Sequence, residues 1–272
     1  MRKSIYKKVI ATLLGVGMIA TLAGCGDNGT TEATTEATTE ETTEATTEKT
    51  TEATTEEEKV LTLDDVINPL ETDGKARMTI IGHASTKIVT AEGVVIYIDP
   101  FFEGDYEEPA DIILITHGHD DHNHINKVTK KDNTVVIKGL EATNGTKYKS
   151  YEAFGIKIQS VPAYNDNHSK MTCVGFILEF DGMKVYHAGD TSKIDEMADL
   201  SGMGIDYALY PVDGQWNMDG AEATECANIV GAKHNIAIHT DGSYSKYIQE
   251  NVDSFTPDGK LEVKHGETIE LN

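Results

Sequence analysis

The sequence predicts a mixed α/β domain in which β-sheets pack between helices. Short runs rich in β-branched and aromatic residues recur from residue 78 onward, and turn residues separate several of them. Helical patterns are far fewer, and only one of them is clear. This balance of strands and helices favours the α/β class, but the pattern alone does not determine how many sheets the strands form.

The predicted strands are short and are bounded by turn residues or charges. They cover residues 78–82, 86–89, 94–99, 111–116, 134–138, 156–161, 174–180, 183–187, 206–211 and 235–239. Asp181-Gly182 joins two of them and predicts a β-hairpin. A helix is predicted over 221–231, because Asp219 can cap its first turn, Glu222 follows in a capping-box position, and Gly231 can end it.

Residues 1–24 are predicted to be a lipoprotein signal peptide. Basic residues cluster within positions 2–8, an apolar run covers 9–23, and Leu22-Ala23-Gly24-Cys25 resembles a bacterial lipobox. Cleavage before Cys25 would leave its thiol to carry a diacylglycerol. An uncleaved anchor with an ordinary Cys25 is the alternative, although the apolar run is short for a transmembrane helix, which needs about 20 residues. Either route predicts a chain held at the extracytoplasmic face of a bacterial cell membrane.

Residues 25–59 are predicted to form a disordered tether. Most of this segment is a Thr-Thr-Glu-Ala repeat with no aromatic residue and no aliphatic residue larger than Ala. Such a segment cannot bury enough apolar surface to offset the entropy cost of ordering, and its negative charge extends it. We expect it to hold a single domain, residues 60–272, away from the membrane.

The chain is strongly acidic, with a net charge of -23 at pH 7. Because such a protein repels phosphate backbones, a small molecule is a better candidate substrate than a nucleic acid. The oligomeric state is left open. Cys173 and Cys226 could pair in an extracellular setting, but two buried thiols are the favoured interpretation.

The most informative motif is Thr116-His117-Gly118-His119-Asp120-Asp121-His122, which directly follows the apolar run 112–115. Imidazole and carboxylate groups donate lone pairs to metals. On an extended backbone His117 and His119 point the same way. Asp121 and His122 follow where the chain turns, so they can face a second metal. A solvated, histidine-rich loop is the less favoured alternative.

The spacing His-x-His-x-Asp-His resembles the signature of the metallo-β-lactamase superfamily. That pattern requires a further His, a bridging Asp and a final His after later strands, and the chain offers His168, Asp190 and His239 in this order. Gly82-His83 and Asp99-Pro100-Phe101 resemble the branch that holds ascorbate-phosphate lactonases and many uncharacterised metal-dependent hydrolases. The resemblance implies a four-layer αββα sandwich with the metals at one edge, between two sheets.

The resemblance also implies two divalent metal ions. One would be held by His117, His119 and His168, the other by Asp121, His122 and His239, and both by a bridging Asp190. Without His168 the first ion would have an incomplete shell, and the site would work with one ion. Asp121 is also the candidate catalytic residue, which orients the attacking water or accepts its proton.

Zn²⁺ is the favoured metal. Diiron oxidoreductases of this fold usually place Glu where this chain has His119, so hydrolysis is preferred over iron redox chemistry, and Mn²⁺ stays open. His83, Asp99 and His187 are candidate partners that orient the ligand imidazoles. The alternative for each of these three is an ordinary core or turn residue.

The sequence therefore predicts a membrane-anchored, metal-dependent hydrolase that cleaves an ester, lactone or phosphodiester with a metal-bridging hydroxide. A lipoprotein that binds metal or substrate without turnover is the alternative. The loops at 103–109, 164–170 and 213–220 are candidate specificity elements, but they carry no readable code for the substrate.

Overall fold

The computed structural model describes residues 73–272, and this part of the chain forms two six-stranded β-sheets. The predicted signal peptide, Cys25, the predicted tether and residues 60–72 lie outside the described residues. Between residues 73 and 272, no helix is both long and apolar enough to cross a membrane.

The described residues contain twelve strands. In chain order they are β1 (Ala76–Gly82), β2 (Ser85–Val89), β3 (Val95–Ile98), β4 (Ala110–Ile115), β5 (Lys130–Lys138), β6 (Ser150–Ala153), β7 (Ile156–Pro162), β8 (Val174–Phe180), β9 (Met183–His187), β10 (Tyr207–Pro211), β11 (His234–Ile238) and β12 (Glu267–Leu271). The α-helices are α1 (Gly139–Ala142), α2 (Gly220–Val230) and α3 (Gln249–Ser254). Short 3-10 helices cover Asp120–His122, Ile125–Lys127 and Asp195–Leu200.

The first sheet has the strand order β12-β1-β2-β3-β4-β5, and the second has β11-β10-β9-β8-β7-β6. Both sheets are mixed. Strands β3, β4 and β5 run parallel in the first sheet, as do β9, β10 and β11 in the second. The remaining pairs are antiparallel.

The main core lies between the two sheets. Strand β4 illustrates why a strand sequence can be apolar without interruption. Side chains alternate between the faces of a strand. Ile112 and Leu114 therefore join the core that also contains Phe176 of the second sheet. Ile113 and its neighbour on the same face pack instead with Tyr106, on the outer side of the first sheet. Both faces of β4 are buried, as is typical of parallel strands.

The outer face of the second sheet is covered by α2 and by the 3-10 helix Asp195–Leu200. Ala223, Cys226 and Val230 of α2 pack there with Tyr186 and Tyr210. The outer face of the first sheet is covered mainly by loop and 3-10 residues. The predicted sandwich of two sheets between outer layers is confirmed, although the layer over the first sheet contains no long helix among the described residues.

The predicted helix is confirmed within one residue at each end. The Asp219 side chain accepts a hydrogen bond from the backbone N–H of Glu222, and Gly231 ends the helix at φ 69°. Cys173 and Cys226 are both buried and free, which confirms the favoured interpretation of two thiols. The edge strands β6 and β12 were not predicted.

We expect Phe176→Ala to lower the free energy of unfolding by about 3–5 kcal/mol, the usual cost of truncating a buried Phe. Phe176 is fully buried between the sheets, so the change leaves a cavity that the two sheets cannot easily close. Ile229→Ala on α2 is the control, because its side chain is 38% exposed. Denaturant unfolding measures both changes, and a loss below about 1 kcal/mol for Phe176→Ala would contradict this view of the core.

Candidate metal centre

Three histidines form the first cluster of candidate ligands. His117 and His119 follow β4 directly, and His168 lies in the loop after β7. One ring nitrogen from each lies within 4.8 Å of the other two. His117 and His168 are buried, whereas His119 is exposed. The structure thus brings together the three histidines that the resemblance assigned to one ion.

The second cluster contains Asp121, His122, His239 and also His83. One ligand atom from each lies within 4.8 Å of the others. Oδ2 of Asp121 is 3.1 Å from Nε2 of His83, 3.5 Å from Nε2 of His122 and 3.9 Å from Nε2 of His239. His83 was predicted only as a partner of a ligand, and the structure places it among the candidate ligands themselves.

Asp190 lies between the two clusters. Its Oδ2 is 3.2 Å from Nε2 of His168 and 3.4 Å from Nε2 of His239. Its Oδ1 is 3.4 Å from Nε2 of His122. The carboxylate therefore contacts imidazoles from both clusters, as a shared ligand must.

The turn that presents Asp190 depends on Gly189. This glycine has φ +65°, in the left-handed region, and a Cβ at this position would lie only 2.7 Å from the carbonyl oxygen of Val174. Any other L-residue would be strained and would also collide with the neighbouring strand β8. His187 supports the same turn, because its Nδ1 accepts a hydrogen bond from Gly189 N and its Nε2 donates to the Ala84 carbonyl. Both of its ring nitrogens thus bond to backbone groups, and not to the ring of a candidate ligand.

Polar partners fix the ring orientation of His117 and His122. Asp99 is fully buried, and its Oδ2 is 2.8 Å from Nδ1 of His122. Thr116 Oγ1 donates to the same carboxylate, so it accepts a hydrogen bond from Nδ1 of His117 at 3.1 Å. With Nδ1 protonated in both rings, each Nε2 keeps its lone pair for a metal.

Polar side chains also lie beside Nδ1 of His168 and of His239. Oδ1 of Asn165 accepts from Nδ1 of His168 at 2.9 Å. Oδ2 of Asp213 lies 3.1 Å from Nδ1 of His239, a charge contact that does not meet hydrogen-bond geometry. In both rings Nε2 is again the nitrogen that faces the centre of the cluster.

The electrostatics of the site fit a bound cation. Burial lowers the pKa of His117 to about 3, so this ring is neutral at pH 7. Burial also opposes the protonation of His122, but the carboxylates of Asp190 and Asp99 outweigh it and raise the pKa of His122 well above its usual value. A metal ion would supply the positive charge that these buried carboxylates otherwise draw from a proton.

Unsatisfied polar atoms point to the same conclusion. Nε2 of His117, Nε2 of His122 and Oδ1 of Asp190 are buried and have no hydrogen-bond partner among the described residues. The 3.4 Å contact between His122 and Asp190 is a charge contact that does not meet hydrogen-bond geometry. Buried polar atoms without a partner are rare, and metal ligation would satisfy all three.

A cavity of about 240 Å³ opens onto the cluster. His119 and Asp121 lie on its ligand side, and Trp216 and Tyr244 form aromatic walls. The indole N–H of Trp216 donates to the Gly242 carbonyl at 3.0 Å, which joins the two loops that carry these walls. The cavity is large enough for a small substrate and reaches the candidate catalytic Asp121.

Sequence reasoning missed Thr116, Asn165, Asp213 and Asn217. For Asp213 a signal was present, because it follows β10 as Asp190 follows β9, near the carboxyl ends of adjacent parallel strands. The two asparagines carried no such signal, because their bond to each other and the bond of Asn217 to Asp190 join residues far apart along the chain.

Comparisons with known proteins agree with this geometry. A family model described as the Beta-lactamase superfamily domain matches residues 77–239, a range that contains all of the predicted ligands. The UPF0173 metal-dependent hydrolase of Thermococcus onnurineus (strain NA1) is 30% identical over 189 residues, covering 60% of this chain and 84% of that protein.

Solved structures share the fold. A crystal structure of a protein from Parabacteroides distasonis ATCC 8503 has a TM-score of 0.59 at 31% identity, and covers 69% of this chain and 92% of that chain. Igni18, a metallo hydrolase from Ignicoccus hospitalis KIN4/I, has a TM-score of 0.57 at 22% identity, with 73% and 99% covered. At that lower identity the likeness to Igni18 shows the fold alone.

Proposed function

The chain belongs to the metallo-β-lactamase superfamily, and from this premise we propose that it hydrolyses an ester, lactone or phosphodiester at a centre of two divalent metal ions. Its curated relatives are named metal-dependent hydrolases, and this chain is an enzyme of the same class. The observation that carries the proposal is the position of Asp190, whose carboxylate lies 3.2–3.4 Å from imidazoles of both clusters.

The donor set suggests how the ions would be held. One would be held by His117, His119 and His168, the other by Asp121, His122 and His239, with Asp190 shared. Imidazole and carboxylate donors suit Zn²⁺, which we propose as the metal, with Mn²⁺ as the second candidate. The narrower kinship with the ascorbate-phosphate lactonase branch is part of the same proposal, supported by Gly82-His83 and Asp99-Pro100-Phe101.

Bound divalent ions would lower the pKa of water and stabilise negative charge that develops on the substrate. Asp121 would accept the proton of the attacking water. Burial by itself raises the pKa of this carboxyl, but the hydrogen bond from His83 and the charge of His122 lower it below its usual value. Asp121 is therefore ionised at neutral pH, and its carboxylate can orient the attacking water and accept its proton in the cavity. Trp216 and Tyr244 would limit the access of bulk water.

A substrate panel tests the proposal directly. The purified full-length chain, loaded with Zn²⁺ or Mn²⁺, is offered carboxylic esters, lactones and phosphodiesters, and the metal-stripped chain serves as the control. We expect turnover of one class, its loss on metal removal, and its return on reloading. Binding of metal without turnover of any class would favour a binding lipoprotein and would contradict the hydrolase.

We further propose that the protein is anchored to the extracytoplasmic face of a bacterial membrane through a lipid on Cys25. The support is the basic start, the apolar run and the lipobox-like Leu22-Ala23-Gly24-Cys25. Residues 25–59 would then tether the domain, and no nucleic acid is expected among its partners.

We expect mass spectrometry of the membrane-extracted protein to show an N-terminus at Cys25 that carries a lipid adduct. Signal cleavage before this residue leaves its thiol and amine for acylation. Cys25→Ser is the control, and it should abolish the adduct. An intact Met1, or an unmodified Cys25 in a soluble protein, would contradict lipid anchoring.

A further inference from the structure

We propose that Asn217 is a positioning residue that orients the shared Asp190 carboxylate and links the two halves of the metal centre. This role rests on the proposed function, because it concerns the same metal ions. Asn217 lies in the loop between β10 and α2, and only 9% of its surface is exposed. It was not among the predicted site residues, and it does not line the cavity that opens onto the cluster.

Both amide hydrogens of Asn217 are used by carboxylates of the site. Its Nδ2 donates to Oδ2 of Asp190 at 3.0 Å and to Oδ2 of Asp213 at 2.9 Å. Asp213 in turn lies 3.1 Å from Nδ1 of His239. One neutral amide thus holds the shared candidate ligand on one side and the partner of a second-cluster ligand on the other.

The side-chain oxygen of Asn217 connects this residue to the first cluster through hydrogen bonds. Oδ1 accepts a hydrogen bond from Nδ2 of Asn165 at 3.2 Å, and Oδ1 of Asn165 accepts from Nδ1 of His168 at 2.9 Å. A continuous series of hydrogen bonds therefore joins His168 to Asp190 and Asp213, and Asp213 makes a charge contact with His239.

The orientation of the amide follows from the chemistry of its neighbours. Ionised carboxylates only accept hydrogen bonds, so the Nδ2 side must face Asp190 and Asp213 and the Oδ1 side must face Asn165. A rotation of the Asp190 carboxylate would break one of these bonds, which explains how Asn217 can set its direction.

The neutrality of the amide is part of the role. A cationic side chain could also satisfy two carboxylates, but its charge would compete with the metal ions for Asp190. An aliphatic side chain would leave two buried carboxylate oxygens short of a donor, which is unfavourable in a buried site. Asparagine satisfies both oxygens and leaves the negative charge available to the metals.

The test measures Zn²⁺ binding to the full-length chain, by elemental analysis and by stepwise affinities from chelator competition. We expect Asn217→Ala to weaken both ions by about 10–100-fold, the usual effect of removing a hydrogen-bond partner of a metal ligand. Asn235→Ala is the matched control. Asn235 is also buried, and its Nδ2 donates to the Ala232 and Asp258 carbonyls, away from the candidate ligands.

A merely structural asparagine would lower the Tm of the metal-free protein without changing the Zn²⁺ affinities, and we expect this of Asn235→Ala. If Asn217→Ala does not fold, Asn217→Ser keeps one of the two donors, and we expect it to weaken Zn²⁺ by an intermediate factor. Wild-type Zn²⁺ affinity in a folded Asn217 variant, or a weakening no larger than in Asn235→Ala, would overturn the proposal.

The link to His168 has its own readout. If Asn165 and Asn217 act through one series of hydrogen bonds, the combined variant Asn165→Ala/Asn217→Ala should lose less affinity than the two single losses added together. Full additivity would overturn the link.

Hydrolysis is followed separately in the wild type. If the wild type does not turn over substrate with both ions bound, this result counts against the proposed function. It leaves the affinity result for Asn217 intact.

Discussion

Asp190→Ala is expected to lose metal at both positions and, with it, hydrolytic activity. The carboxylate contacts His168 in the first cluster and His122 and His239 in the second. Without it, two cations would repel each other across a short gap with no shared anion between them. We expect Zn²⁺ affinity to fall at least about 10²-fold, the upper end of what loss of a mere partner of a ligand causes.

Elemental analysis and turnover of the same preparation measure this effect. Asp199→Ala is the matched control, because Asp199 is exposed in the 3-10 helix Asp195–Leu200 and touches none of the candidate ligands. The dinuclear assignment would be overturned by full metal occupancy in Asp190→Ala, or by a wild-type protein that holds one ion or none after careful loading.

Several candidate ligands could be predicted from the sequence because they lie just after a strand. His117 lies two residues after β4, Asp190 three residues after β9 and His239 directly after β11. Buried apolar runs are easy to find in a sequence, and polar residues that interrupt them mark strand ends. The edge strands β6 and β12 were missed for the opposite reason, because Ser-Tyr-Glu-Ala and Glu-Thr-Ile-Glu-Leu are largely exposed and polar.

The hydrogen-bond partners of the ligands were harder to predict. The bond between Asn165 and Asn217 spans 52 positions, and that between Asn217 and Asp190 spans 27. No local pattern encodes such pairs, because they depend on how the second sheet brings its loops together. Asp99 was predicted as such a partner, and it directly follows β3 in an Asp-Pro-Phe motif.

Backbone strain is concentrated at the same site, which the sequence did not reveal. His83, Asp99 and His239 have positive φ angles of 54°, 47° and 46°, and each directly follows a strand. Non-glycine residues adopt this conformation at some cost in free energy. Their common position at the metal centre suggests that the strand ends are bent to aim these three side chains inward, at the expense of local stability.

Asp121→Asn is expected to lower turnover at least about 10²-fold, the scale associated with loss of a group that orients or accepts a proton. The amide keeps the shape of the carboxylate but removes its charge and one acceptor. Asp120→Asn is a close control, because Asp120 lies in the same 3-10 helix and its side chain is 94% exposed.

Because Asp121 is also a candidate ligand, its two roles must be separated. Turnover is therefore compared per bound ion, with Zn²⁺ raised until occupancy equals that of the wild type. A loss that disappears at equal occupancy would mean that Asp121 only holds metal, and wild-type turnover at any occupancy would remove it from the mechanism. We expect a loss that persists. The ionised Asp121 side chain lines the cavity, and 14% of it is open to solvent, whereas the Asp190 side chain is only 3% exposed. A proton taken from water needs such a route to solvent, and within the described part of the centre Asp121 supplies it.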